Sequence, residues 1–280
     1  MEDLRIAAVC MHSIPGEIAR NLSHMETFIR EASERRVDVV CFPEFSLSGY
    51  LLESPDRIYS RSDYDDLLRE VIRIAGQYGL TIITGVIEIS GEGRPYISQI
   101  LAGPEGIIGI HRKTHLSPPE TSKYQAGQKL EVYECGKALL GVQLCYEAHF
   151  PEITTVMALK GAEVVFMPHA SPQGTPEEKV QSWLRHLTGR AFDNSLFVVA
   201  CNQVGTGRGP LSFPGVALIL NPLGRIIKSY RGKEEKMIVA DLAGDELKEV
   251  RGHRMKCFLP FRRPELYGKL TEAYPLFAPK

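Results

Sequence analysis

The amino-acid sequence predicts an α/β protein folded as a four-layer α-β-β-α sandwich with an internal pseudo-twofold repeat. First, short β-rich apolar runs alternate with helix-length stretches of mixed polarity, which is typical of layered α/β proteins. Second, the strand pattern of the first half of the chain recurs in the same order in the second half. Third, a chain of 280 residues is long enough to bury a large core.

The individual elements follow from local patterns. Apolar, β-branched runs predict strands at residues 4–10, 37–42, 80–87, 96–101, 107–112, 139–145, 164–167, 196–201, 216–220 and 238–241. Amphipathic stretches predict helices at about 16–35, 62–78, 151–160 and 176–194. Ser62 is the expected N-cap of the second helix. Pro151 and Pro176 suit the first turns of the third and fourth helices, because proline lacks the N–H that has no partner there.

The internal repeat determines the predicted architecture. Four segments of the first half match four of the second in order: residues 6–10 with 141–145, 37–46 with 162–171, 80–83 with 196–199, and 100–108 with 219–227. Each half therefore predicts one sheet with helices on one face and an apolar second face. Packing the two apolar faces together gives the sandwich, which we interpret as a single domain over residues 1–280. Residues 245–280 lie outside the repeat, and we expect a tail that covers the body or a partner subunit.

Composition excludes several classes of protein. Thirty-three Lys and Arg against 34 Asp and Glu give a net charge of −1, which provides no electrostatic footprint for nucleic acid. No apolar run approaches the ~18 residues that span a bilayer, and the start of the chain does not resemble a signal peptide. The six cysteines include no Cys-x-x-Cys pair and no zinc-like spacing, so we expect reduced thiols and no bound metal. The prediction is a cytoplasmic protein that binds neither membrane nor nucleic acid.

Chemically useful side chains follow three of the predicted strands. Glu44 follows the strand at 37–42, Lys113 follows 107–112, and Cys145 closes 139–145. Ligands of open α/β sheets bind beyond the carboxyl ends of strands, so these three side chains are expected at one edge. Each alone is typical of a surface turn or of core packing. Together they make a catalytic unit.

The three residue types have complementary roles. Cysteine is a nucleophile, but only a small fraction of a free thiol is ionised at neutral pH. A buried glutamate such as Glu44 can accept that proton as a general base. The ammonium of Lys113 would stabilise the oxyanion of a tetrahedral intermediate, with the backbone N–H of Tyr146 as a second donor.

These residues resemble the motifs of the carbon–nitrogen hydrolase (nitrilase) superfamily, in its amidase-like branch. Pro43-Glu44-Phe45 resembles the motif of the base, Arg112-Lys113-x-His115-Leu116 that of the lysine, and Cys145-Tyr-Glu-x-x-Phe-Pro-Glu152 that of the nucleophile. The resemblance implies a Glu-Lys-Cys triad on an α-β-β-α fold. It also implies that Glu120 is a second glutamate that positions the lysine or assists proton transfer. Segments 190–194 and 200–205 resemble a region beside the family's active site, and Asn202 in the second segment, like Tyr146, is a candidate for substrate binding.

Other patterns in the sequence give weaker support for a functional site. His111 and His115 are four residues apart at a strand end, but no glutamate lies between them as in the zinc motif His-Glu-x-x-His, so a metal pair is not favoured. Residues 205–209 lack the pattern of a dinucleotide loop, and we expect a flexible loop near the site. No Gly-x-Ser-x-Gly and no Gly-x4-Gly-Lys occurs. His149 and His169 are candidates for substrate binding, and each is equally interpretable as a hydrogen-bonded supporting histidine.

The resulting hypothesis is a cofactor-free hydrolase of a small linear amide. N-carbamoyl amines and nitriles are alternative substrates. Nitriles are disfavoured because resemblance to true nitrilases usually brings a longer C-terminal extension, and Trp where this chain has Tyr146. A catalytically idle binding or scaffold protein on the same fold is the alternative from another class. We expect a homodimer or higher homo-oligomer, as is usual in the family. The loops at 46–61, 114–127, 169–176 and 203–214 would shape the pocket, and their conformations are not predictable from pattern.

Overall fold

The computed structural model describes residues 1–53, 58–91 and 93–272. Its strands are β1 Leu4–Cys10, β2 Val39–Cys41, β3 Thr81–Glu88, β4 Tyr96–Gly103, β5 Gly106–Arg112, β6 Val132–Cys135, β7 Ala138–Val142, β8 Val164–His169, β9 Phe197–Asn202, β10 Gly205–Thr206, β11 Ser212–Phe213, β12 Gly215–Leu220, β13 Ile226–Gly232 and β14 Lys236–Leu242. Its α-helices are α1 Ile18–Glu34, α2 Arg61–Tyr78, α3 Pro151–Leu159, α4 Pro176–Asn194 and α5 Gly244–Gly252. The loop predicted at 46–61 and the tail at 245–280 each include residues outside the described ranges.

The strands form two six-stranded sheets of matching topology. The first has the order β14-β1-β2-β3-β4-β5 and the second the order β13-β12-β9-β8-β7-β6. In each sheet three neighbouring strands run parallel, β1-β2-β3 in the first and β7-β8-β9 in the second. A hairpin then adds two antiparallel strands, β4 and β5 in the first sheet and β12 and β13 in the second. The predicted internal repeat is confirmed by this correspondence.

The sixth strand of each sheet comes from the other half of the chain. After the first half's hairpin, β6 pairs antiparallel with β7 of the second sheet. After the second half's hairpin, β14 pairs antiparallel with β1 of the first sheet. Each half of the repeat therefore contributes its last strand to the sheet of the other half. β6 was not predicted from the sequence, because it is short and only partly buried.

The core has three layers, as the sandwich prediction requires. Between the sheets lies a cluster drawn from both, with residues such as Ile6, Ile83, Phe166 and Val199. Outside the first sheet, α1 and α2 cover a second cluster, and outside the second sheet α3 and α4 cover a third. The predicted four-layer α-β-β-α fold is thus confirmed.

Several predicted boundaries need correction. The N-cap of α2 is Ser60 and not Ser62, because the Ser60 hydroxyl accepts from Asp63 N and the Asp63 side chain returns the bond in a capping box. The strand predicted at 139–145 ends at Val142. Pro151 and Pro176 do begin α3 and α4.

The C-terminal region is more regular than the predicted tail. Its first part is α5, which buries Leu247 and Val250 against the body. Three one-turn 3-10 helices follow, at Leu259–Phe261, Pro264–Leu266 and Gly268–Thr271. Across the described ranges, no helix combines the length and the apolar composition needed to cross a membrane.

Candidate active site

The three predicted chemical side chains converge at one edge of the sandwich. Glu44 lies just beyond β2 and Lys113 just beyond β5, and both are 1% exposed. Lys113 Nζ donates to Glu44 Oε1 at 2.8 Å and to Glu120 Oε1 at 2.9 Å. Glu120 itself is 2% exposed. One buried ammonium therefore joins two buried carboxylates.

Further hydrogen bonds hold both glutamates, from distant segments for Glu44 and from the same loop for Glu120. Ala170 N, just beyond β8, donates to Glu44 Oε2 at 3.0 Å. Gln203 Nε2 donates to the backbone carbonyl of Glu44 at 2.8 Å. Ser117 N donates to Glu120 Oε2 at 2.7 Å. Each carboxylate thus has a fixed orientation toward Lys113, and Glu44 is held by residues of the opposite sheet.

Cys145 lies on a sharp turn, not at the end of a strand as predicted. It begins a one-turn 3-10 helix, Cys145–His149, three residues after the end of β7 at Val142. Its backbone φ is +23°, outside the regions favoured by residues other than glycine. Strain of this kind occurs at functional sites, where the surrounding structure holds it in place. Cys145 as a residue is partly exposed, whereas Glu44 and Lys113 are buried.

Glu147 is a buried residue of the site that the sequence analysis did not assign. Its Oε2 lies 2.9 Å from His111 Nε2 and accepts from Leu144 N at 2.5 Å. Its Oε1 accepts from Thr114 N at 2.7 Å and from Thr114 Oγ1 at 2.6 Å. Leu144 precedes Cys145 and Thr114 follows Lys113, so one carboxylate links the two segments. Its position inside the cysteine motif was the available signal, but local pattern does not reveal burial.

The electrostatic surroundings suit Glu44 as a base, Lys113 as a permanent cation and Cys145 as a neutral thiol. Burial raises the pKa of Glu44 to about 7, although the Lys113 ammonium opposes the increase. Burial acts to lower the pKa of Lys113, but Glu44 and Glu120 outweigh it and hold the pKa above its ordinary value. Burial and the nearby Glu44 raise the pKa of the Cys145 thiol to about 12. The resting thiol is therefore protonated at neutral pH.

A small cavity of about 40 Å³ opens beside the sulfur. Its lining is Cys145, His149, His169, Ser171, Lys179, Ser182, Trp183 and His186. The His169 ring lies against Trp183, with ring centroids 4.2 Å apart, and His149 lies 4.7 Å from His186. The lining combines one ammonium with several rings, and its size suits a small ligand.

The structure distinguishes the remaining predicted residues. His169 is 2% exposed, and its Nδ1 lies 2.7 Å from the Met167 carbonyl, so Nδ1 carries the hydrogen and Nε2 is an acceptor. His149 is exposed at the rim of the cavity. Tyr146 packs edge-on against His149 and Phe150.

Asn202 is placed differently from the other predicted binding residues. Its Nδ2 donates to the carbonyls of Ser171 and Pro214, at 3.0 and 2.8 Å, and its Oδ1 accepts from Ser171 N at 2.8 Å. Both of its N–H donors are therefore used within the protein. The side chain braces the turn at Ser171 and does not line the cavity.

The two histidines and the segment 205–209, which were considered as alternative sites, make other contacts. His111 pairs with Glu147, whereas His115 Nδ1 lies 2.9 Å from Thr114 Oγ1 and its ring packs on Phe150. Within residues 1–53, 58–91 and 93–272, no three His, Cys, Asp or Glu side chains converge in a way that could hold a metal ion. The segment predicted as a flexible loop at 205–209 begins with β10, which pairs with β11 in a two-stranded ribbon.

The fold and the convergence of Glu44, Lys113 and Cys145 fit the family that comparison with known proteins identifies. The family described as carbon-nitrogen hydrolase matches residues 5–252. The chain therefore belongs to the carbon–nitrogen hydrolase family and is an enzyme of its amidase-like branch.

Individual relatives cover nearly the whole chain. An (R)-stereoselective amidase from a Pseudomonas species is 30% identical over 271 residues, covering 96% of this chain and 95% of its own. A nitrilase from Pyrococcus abyssi is 29% identical over 277 residues, with coverage of 94% and 99%. A mutant amidase of the nitrilase superfamily from Nesterenkonia AN1 superposes with a TM-score of 0.83 at 23% identity, covering 95% of this chain and 97% of its own. The last comparison concerns the fold alone.

Proposed function

We propose that this enzyme hydrolyses a small linear amide to an acid and ammonia or an amine, through a thioester on Cys145. The observation that carries the proposal is the bridge from Lys113 Nζ to Glu44 and Glu120 beside the strained Cys145 turn. This arrangement supplies a nucleophile, a base and a fixed positive charge at one edge of the sandwich.

In the first step the Cys145 sulfur attacks the carbonyl carbon of the amide. The thiol proton passes to Glu44, and a carbon–sulfur bond forms as the carbonyl double bond becomes a single bond to an oxyanion. The high pKa of the thiol means that the proton moves only as the sulfur attacks. The Lys113 ammonium and the Tyr146 N–H stabilise the oxyanion.

In the second step the tetrahedral intermediate collapses. The carbon–nitrogen bond breaks, the nitrogen takes the proton from Glu44, and ammonia or an amine leaves the thioester. Water then attacks the thioester while Glu44 accepts one of its protons. The carbon–sulfur bond breaks, the acid departs, and the proton returns to the sulfur. A base whose pKa is about 7 suits both proton transfers near neutral pH.

Glu120 and the supporting residues keep this geometry in place. Glu120 holds Lys113 both charged and oriented, so that the lysine acts as a cation and not as a base. Asn202, which was predicted to bind substrate, we now propose as a positioning residue for the turn at Ser171. His169 offers its Nε2 as an acceptor for the amide N–H of the substrate.

A small cavity favours a small amide over bulky substrates. N-carbamoyl amines and nitriles remain alternatives, because the same triad can attack their carbon. An idle scaffold is the alternative from another class. The partner we propose is therefore a small molecule, and no step of the mechanism requires a cofactor.

Hydroxylamine trapping tests the proposal. Small amides are incubated with wild-type enzyme and with Cys145→Ala, and ammonia, acid and hydroxamate are measured as hydroxylamine rises. A thioester intermediate predicts that hydroxamate forms at the expense of acid. A carbamoylase would give hydroxyurea or carbon dioxide with the free amine, and a nitrilase would convert nitriles in the same screen. Ammonia release from none of these compounds would support the idle scaffold and overturn the proposal.

We also propose a single-domain protein that assembles as a homodimer or higher homo-oligomer. The reciprocal exchange of β6 and β14, together with the core shared by the two sheets, supports one domain. Leu259 packs on the body, but Phe258, Phe261 and Leu266 are 39%, 53% and 62% exposed within the described chain. A neighbouring subunit would cover these side chains. The six free cysteines support a reducing, cytoplasmic setting.

A further inference from the structure

We propose that Lys179 is the carboxylate-binding residue of the pocket, and that the substrate is a short amide carrying a carboxylate at its far end. This inference rests on the proposed amidase function and specifies its substrate class. The same cavity is lined by Cys145, where the amide would react, and by Lys179.

Lys179 is an ammonium whose counter-charge is missing from the described residues. Its Nζ donates to Ser171 Oγ at 2.7 Å and to the Pro172 carbonyl at 3.1 Å, both neutral acceptors. An ammonium has three N–H donors, so one remains for a ligand. No described carboxylate pairs with it. This contrasts with Lys113 in the same site, which has two carboxylate partners.

The acidic residues nearest in sequence are engaged elsewhere. Glu178 Oε2 accepts from Thr175 N at 2.8 Å, as part of the capping box that begins α4. Glu177 Oε1 lies 3.7 Å from Arg231 Nε on the surface. The first turn of α4 therefore presents Lys179 toward the cavity without neutralising it.

Neighbouring hydrogen bonds hold the Lys179 side chain in its position. Asn202 holds both backbone polar groups of Ser171, and the Ser171 hydroxyl in turn accepts from Lys179. The lysine is partly buried, and this burial lowers its pKa, which is a cost that an anionic ligand would reverse. A mobile surface lysine would have neither this support nor this cost.

The other groups around the cavity also disfavour a cationic substrate. Arg190 donates to the Ala148 carbonyl at 3.2 Å, and its charge helps to lower the pKa of both His149 and His186. Glu44 and Glu120 are occupied by Lys113. An ammonium at the far end of the substrate would therefore meet positive charge, whereas a carboxylate would gain an ion pair.

Three amides of matched length test the inference: succinamate, butyramide and 3-aminopropionamide, whose far ends are anionic, neutral and cationic. Wild-type kcat/KM should be about 10- to 100-fold higher for succinamate than for butyramide, as expected for one charged hydrogen-bonded pair, and lowest for 3-aminopropionamide. The preference should lie mainly in KM. Equal rates for succinamate and butyramide would overturn the inference while leaving the amidase function in place.

Variants assign the preference to the lysine. Lys179→Met should reduce the ratio of succinamate to butyramide to near one, and Lys179→Glu should shift the preference toward 3-aminopropionamide. Lys228→Met, at an exposed lysine on β13, is the matched control and should keep the wild-type ratio. If Lys179→Met slows all three amides equally, the inference fails. If wild-type enzyme releases ammonia from none of the three, the inference also fails, and the broader amide screen then decides the proposed function separately.

Discussion

Glu147 Oε2 lies 2.9 Å from His111 Nε2, and both side chains are fully buried, one from each half of the repeat. The same carboxylate accepts hydrogen bonds from the residue before Cys145 and the residue after Lys113. Its bonding partners outweigh the cost of burial and lower its pKa to about 2, so Glu147 is ionised throughout the working range. The pair thus ties the nucleophile turn to the lysine segment.

Glu147→Gln should therefore lower stability and rate together. The amide keeps the shape but weakens the bonds to His111, Leu144 and Thr114, so the free energy of unfolding should fall by about 1–3 kcal/mol. The kcat should fall as well, because Cys145 and Lys113 lose their common support. Urea unfolding and steady-state kinetics measure the two effects. Glu105→Gln, at an exposed position in the turn between β4 and β5, is the control and should change neither. Wild-type stability in Glu147→Gln would contradict this role.

The pH dependence should follow the ionisation of Glu44. The base is active when deprotonated, so kcat/KM should fall as pH drops through about 7. The negative charge of Glu120 contributes to raising the pKa of Glu44, so Glu120→Gln should move this acid limb to lower pH while also reducing the rate. Full pH–rate profiles of the two proteins measure the shift. An acid limb that stays in place, or moves upward, would show that Glu44 is not the group being titrated.

Cys145→Ala should abolish turnover and leave the fold intact. Cys201→Ala is the matched control, because Cys201 is buried in the core between the sheets and should affect stability only. Ammonia release and circular dichroism separate the two effects. Turnover in Cys145→Ala within tenfold of wild type would remove this residue from the mechanism.

Glu44→Gln and Lys113→Met should both act on kcat. Removing the base should slow turnover by about 10²–10⁴. Removing the oxyanion cation should slow it by about 10²–10³. Lys123→Met, at an exposed lysine in the same loop region, controls for loss of a positive charge and should retain the wild-type rate. A wild-type kcat in either active-site variant would be incompatible with its assigned role.

Sedimentation should show a dimer or larger oligomer at micromolar concentration. Leu266→Glu places a charge on an apolar side chain that is 62% exposed, and it should weaken association if a neighbour covers that surface. Lys269→Glu, an exposed polar position in the same segment, should have a smaller effect. A wild-type monomer would refute the proposed assembly.

Much of the fold was predictable because its signals are local. Apolar runs marked β1, β3 and β9 to within a residue or two, and the prolines at 151 and 176 marked two helix starts. The exchange of β6 and β14 was not predicted from the sequence, because β14 pairs with β1 at the far end of the chain and because β6, although adjacent to β7, is too short and too little buried to give a clear strand signal. The end of β7 was misplaced, since an apolar run continues to Cys145 while the backbone already turns.

The sequence by itself determined the repeat, the layer order and the identity of Glu44, Lys113 and Cys145 as candidates, because these depend on local apolar pattern and on residue types within short motifs. Only the tertiary structure decided which other groups join them. Glu44 is oriented by Ala170, 126 residues away in the chain, and Glu147 is buried by contacts that no local pattern contains. Lys179 has a place in the pocket for the same reason. Burial and the choice of hydrogen-bond partner are properties of the packed loops, and a polar residue in a loop has the same local sequence signal whether it is solvated or enclosed.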